Sequence, residues 1–74
     1  MSNPHYSILR AIKCQDLKLF NDLVNGASLK YINYINPSIN HNLLQYICRI
    51  RPFDNEIYIS MIDLLVRYLF YLFL

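Results

Sequence analysis

Two histidines, two cysteines and five carboxylates are the side chains of this 74-residue chain that could do chemistry. A zinc site takes Cys and His at short fixed spacings, and a thiol nucleophile takes a histidine base beside it. His5 and His41 stand 36 positions apart, and Cys14 and Cys48 stand 34 apart. Neither pair forms a metal-binding spacing. A Cys–His pair is arithmetically open, but no spacing points to one. Each histidine falls where a helix or repeat begins, so a surface or capping role is expected for both. The acids Asp16, Asp22, Asp54, Glu56 and Asp63 are dispersed and suggest no carboxylate pair for acid–base work. One glycine, Gly26, cannot build a phosphate-cradling loop. The expectation is a chain that is not an enzyme, with no catalytic residues, no metal and no cofactor.

Charge narrows the partners. Seven basic and five acidic residues leave a net charge of +2. Arg49 and Arg51 are the closest basic pair, and no basic run exists. Nucleic-acid binding needs a basic patch or stripe, so it is not expected. The start, "MSNPHYSILRAIK", lacks the basic opening and apolar stretch of a secretory signal. In the reducing cytosol a disulfide is not expected. Cys14 and Cys48 are therefore expected as small buried hydrophobes.

Four helices would carry these residues. The first is expected over about Tyr6 to Cys14, with Pro4 in the opening turn and Ile8, Leu9, Ala11 and Ile12 on one side. The second is expected over about Asp16 to Asn25. Asp16 suits its N-cap, and Leu17, Phe20, Leu23 and Val24 form a helical stripe. Gly26 is placed to end it in the left-handed region. Residues 27–41, "ASLKYINYINPSINH", read as a connection in which "KYINYI" could form a short extended arm. A third helix is expected over about Asn42 to Ile50, capped by Asn40 or Asn42 and stopped by Pro52. Leu43, Leu44, Ile47 and Ile50 form its apolar side. The fourth starts near Asn55. Its polar residues Glu56, Ser60, Asp63 and Arg67 line one narrow stripe, and the rest is expected to be a wide buried face.

The tail "RYLFYLFL" raises a membrane reading. Residues Ile57 to Leu74 approach the minimum length of a span. Asp63 and Arg67 inside it cost roughly 5 to 7 kcal/mol, and about eleven Leu, Ile, Phe and Val residues return roughly 3 to 7. Stable spanning is not favoured. Membrane association stays open as an alternative.

The helices also repeat. Aligning "YSILRAIKCQDLKLF" with "NLLQYICR" and "NEIYISMIDLLVRY" sets Tyr6 on Asn42, Ile8 on Leu44, Ala11 on Ile47 and Ile12 on Cys48, a step of 36. Leu19-Phe20 then falls on Met61-Ile62, a step of 42. The extra six residues belong to the loop around "RPFDN". In these features the chain resembles the ankyrin repeats. "NLLQYIC" stands where that family has T-P-L-H-x-A-A. "DLKLFNDLVNGA" and "EIYISMIDLLVRY" look like outer helices, the first with its G-A ending. The T-P-L-H signature itself is absent. Irregular repeats rich in Asn, Ile and Tyr look most like those of poxviruses.

The resemblance implies an all-α fold of two irregular ankyrin-like helix-turn-helix repeats with a long intervening loop. Repeat one covers about 5–27, the finger 28–41 and repeat two about 42–68, with 69–74 an apolar tail. It gives structural roles to Ala11, Gly26, Leu44, Ile47, Ile62 and Leu65. It makes the finger a binding arm presenting Lys30, Tyr31, Asn33 and Tyr34. It implies a non-enzymatic protein-interaction module, a truncated viral ankyrin repeat protein that binds a host protein in the infected cell's cytoplasm or has lost its function. The F-box-like segment of many full-length poxviral relatives is not recognisable here. The family would place a glycine turn near Leu69, so "LFYLFL" looks out of register, as after a truncation or frameshift. Two repeats are few for a solenoid, which needs about three or more with polar caps. The apolar C-terminus is therefore expected to favour self-association.

Overall fold

The computed structural model describes residues 3–50 and 55–72. The order is α1 (Pro4–Lys13), α2 (Leu17–Gly26), α3 (Leu29–Ile32), α4 (Leu43–Ile50) and α5 (Glu56–Leu72). The fold is all-α. Pairing outside helices is limited, among the described residues, to a single bridge between Asn36 and His41.

Local chemistry sets most helix starts. Asn3 caps α1, accepting the His5 N–H at 2.9 Å, with Pro4 in the first turn where its missing N–H costs no hydrogen bond. Asp16 caps α2 through the Leu19 N–H at 3.1 Å. Asn42 and Gln45 form a reciprocal capping box on α4, at 2.9 and 3.0 Å. Asn55 caps α5, accepting from Ile57 and Tyr58.

Helix ends differ from expectation. Gly26 is the last helical residue of α2, and its φ is not positive. Ala27 leaves the helix in an extended conformation. The left-handed residue is Gln15 instead, at φ 56°. Its N–H reaches the Ile12 carbonyl, and the Asp16 N–H reaches that of Ala11. This is a Schellman closure of α1 with glutamine where glycine is usual. Pro52, expected to stop α4, lies outside the described residues. The connection after α2 is not an extended arm at its start, since Leu29–Ile32 form the short helix α3. Nor does α5 end at Tyr68; it continues through Leu69 to Leu72, across the position where the resembled family would turn on a glycine.

The helices stack as two pairs. α1 packs on α2 and α4 on α5, while α1 also meets α4 and α2 meets α5. Ile8, Ile12, Phe20, Leu43, Ile47, Met61 and Leu65 are fully buried. Equivalent burial follows a register one residue shorter than the sequence alignment. Ile8 matches Leu43 and Ile12 matches Ile47 at a step of 35; Phe20 matches Met61 and Val24 matches Leu65 at 41. The expected step of 36 would pair buried Ile12 with Cys48, which is exposed. Among the residues assigned structural roles, Ala11, Ile47 and Leu65 are in the core, and Leu44 and Ile62 are half-buried against it. Gly26 has open space where a side chain would stand.

Both cysteines are exposed, against the expectation of buried thiols. Cys14 follows the last turn of α1 and Cys48 points away from the side of α4 that carries Leu43 and Ile47. Helical periodicity alone cannot tell a residue just inside the apolar arc from one just outside it.

Candidate interaction surface

α5 has two apolar faces. Tyr58, Met61 and Leu65 point into the core. At 100° per residue, Ile59, Ile62, Val66, Leu69 and Phe70 share a second arc of about 100°. Ile59 is 46% exposed, Val66 50% and Phe70 63%; Ile62 and Leu69 are half-buried. The wide buried face expected for this helix is thus only partly covered. The polar stripe survives beside it, with Arg67 Nε donating to Asp63 Oδ2 at 3.0 Å. Such an exposed pair contributes little stability. Val66, Arg67, Phe70 and Tyr71 line an open indentation of about 430 Å³. Asn25, Leu64, Arg67, Tyr68 and Tyr71 line another, of about 390 Å³, where α5 meets the end of α2. There Tyr68 donates its hydroxyl hydrogen to the Ala27 carbonyl at 2.7 Å.

The finger residues split. Lys30 sits on α3 and is exposed, with its ammonium 5.0 Å from the Tyr31 ring centre. Tyr31 is half-buried and Asn33 is exposed. Tyr34 is turned toward α1, its ring edge-on to His5 at 4.9 Å and its hydroxyl 3.4 Å from that of Tyr6. The hydrogen bond with Tyr6 pushes the Tyr34 hydroxyl's pKa upward, with burial adding to it. These four residues therefore do not form one free patch.

His5 is wholly buried, not a surface histidine. Its Nε2 lies 3.2 Å from Nδ2 of Asn36, which is also buried. Asn36 Oδ1 accepts the Ser38 N–H at 2.8 Å, so its NH₂ group faces the ring. Nε2 must then be the bare acceptor nitrogen, and the proton sits on Nδ1. Nδ1 is buried, with no hydrogen-bond partner among the described residues. Burial lowers the His5 pKa. Asn36 also organises its own loop. Its N–H reaches the His41 carbonyl, and its carbonyl takes the N–H groups of Ile39 and Asn40, the latter at φ 58°. Half-buried His41 lies 3.3 Å from an Arg49 guanidinium nitrogen.

Among the described residues no three His, Cys, Asp or Glu side chains come together as a metal site. No described helix is long and apolar enough to cross a membrane. The outer arc of α5 is the surface that sequence reasoning missed. Its signal was present, because residues 59, 62, 66, 69 and 70 repeat at helical spacing independently of 58, 61 and 65. No family model, curated protein or solved structure matches the chain.

Proposed function

We propose that this chain is a non-enzymatic protein-interaction module, built from two ankyrin-like helix pairs, whose contact surface is the outer face of α5. The observation that carries the reading is the run of exposed Ile59, Val66 and Phe70 on that face. Apolar patches of this kind on a small folded chain mark interaction sites. The two-repeat architecture is supported by the constant steps of 35 and 41 between equivalently buried residues. It is supported too by the stacking of α1 on α4 and α2 on α5. The resemblance to poxviral ankyrin repeats makes a host protein in the infected cell's cytoplasm the partner class.

Site-directed photo-crosslinking in cells tests this. A crosslinker at Val66 is expected to capture protein in discrete bands, while one at exposed Lys13 captures none. Equal capture from both positions, or none from either, overturns the proposal. Exposed Phe70 and Tyr71 favour a second reading, a peripheral membrane helix. That reading predicts co-sedimentation with lipid vesicles and its loss on Phe70→Glu.

A further inference from the structure

We propose that the outer face of α5 pairs with the same face of a second copy of this chain, the two helices running antiparallel about Leu65. This rests on the reading of that face as a contact surface and names a second copy, in place of a host protein, as its occupant. The argument is the symmetry of the residues along the helix. In an antiparallel pair related by a two-fold axis, each flank of one helix meets the same flank of the other. Asp63 and Arg67 lie on one flank, exposed and one helical turn apart. Their midpoint is Leu65. Pairing there sets each Asp63 against an Arg67 of the other copy, twice, with opposite charges in contact.

The apolar residues share that centre. Ile59 falls opposite Phe70 of the second copy, and Ile62 opposite Leu69, both pairings centred within half a position of Leu65. The indentation lined by Val66, Arg67, Phe70 and Tyr71 lies where Ile59 of the other copy arrives. Val66 lies on the interface line between these pairs. A parallel pairing has none of this. It would stack Phe70 on Phe70 and turn the charged flank toward an apolar one. The face is thus self-complementary in shape and charge for one arrangement, and α5 is long enough to present all of it.

Sedimentation equilibrium of the full chain tests the proposal. The expected mass is twice the 8.9 kDa of one chain, falling to one chain for Val66→Glu. Asp63→Arg alone sets Arg against Arg across the pair, and Arg67→Asp alone sets Asp against Asp. Each is expected to be monomeric, and an equimolar mixture is expected to recover the dimer. Circular dichroism shows whether each variant has kept its helices, and the mixture reports pairing from two exposed, fold-neutral positions. With Cys14 and Cys48 replaced by Ser, a mixture of Ile59→Cys and Phe70→Cys chains is expected to form the mixed disulfide in preference to either homodisulfide. A wild-type chain that stays monomeric, or charge variants that dimerise alone as readily as wild type, overturns self-pairing. If that monomer still crosslinks another protein from Val66, only the second copy is ruled out as occupant. If it captures nothing, the contact-surface reading falls as well.

Discussion

The imidazole of His5 and the side-chain amide of Asn36, 31 positions apart, meet at 3.2 Å inside the fold. His5 lies in the first turn of α1, and Asn36 organises the loop that leads to α4. Because Ser38 holds the amide oxygen, Asn36 offers His5 an N–H donor. A doubly protonated imidazole would set a second donor against that amide.

Acid should therefore weaken the fold through His5. Burial lowers its pKa in the folded chain from 6.5, so the unfolded chain takes up the proton first. The stability from neutral His5 is full above about pH 6.5 and is lost as pH falls from there toward the folded-state pKa. The slope from one such group cannot exceed about 1.4 kcal/mol per pH unit. The ring meets the phenol rings of Tyr6 and Tyr34 edge-on. Urea unfolding at pH 7.5, 6.0 and 5.0 should show the decline. His5→Gln should be less stable at pH 7.5 and flatter between pH 6.5 and 5; an unchanged slope would falsify the assignment to His5.

Two helix-end substitutions should stabilise the chain. Gly26 is helical with open space at the Cβ position, so Gly26→Ala should add about 0.4 to 1 kcal/mol by restricting the unfolded chain. Gln15 holds a left-handed conformation that costs a side chain roughly 1 to 2 kcal/mol. Gln15→Gly should recover part of this, less the exposed bond that its Oε1 accepts from Asn55. Thermal melts should show both midpoints rising. A fall for Gly26→Ala would mean that Gly26 is left-handed after all.

Tyr68→Phe should destabilise the chain by about 0.5 to 1.5 kcal/mol, the usual net worth of one hydrogen bond. The lost bond is the one to Ala27, which ties α5 to the end of α2. Hydrogen exchange should localise the effect, with faster exchange in the last turn of α2 and no change at the N-terminal turn of α1. Uniform acceleration across all helices would show that the bond supports the whole fold instead.

What the sequence made legible was short-range. Asp16, Asn42 and Asn55 act within three residues of themselves, and each caps a helix near where spacing placed it. Ile47 and Leu65 lie near the centres of their apolar arcs and are buried, and Ala11 is buried at the edge of its own. The misses needed distant information. His5 is buried because Asn36 and Tyr34 fold back over it. Gln15 becomes left-handed because α2 must turn back against α1, not because its type prefers that conformation. The repeat register slipped by one because consecutive apolar residues, Leu43 and Leu44, offer two alignments, and only packing against α1 and α5 selects Leu43. The outer arc of α5 went unread because an apolar residue at helical spacing carries no mark of which neighbour covers it.

The thiols test that boundary between arc and surface. Cys48 follows buried Ile47 and Cys14 caps the end of α1, yet both are exposed. In the native chain both should react with a water-soluble disulfide reagent at rates close to those in urea, giving two equivalents without unfolding. Buried thiols would wait for the chain to open, slowing the reaction by the folding equilibrium, at least a hundredfold even for a marginal domain of about 3 kcal/mol. Slow native reaction at Cys48 alone would restore the 36-residue register and place Cys48 in the core opposite Ile12. Fast reaction at both keeps the register of 35, in which Ile47 fills that position and α4 turns Cys48 to water.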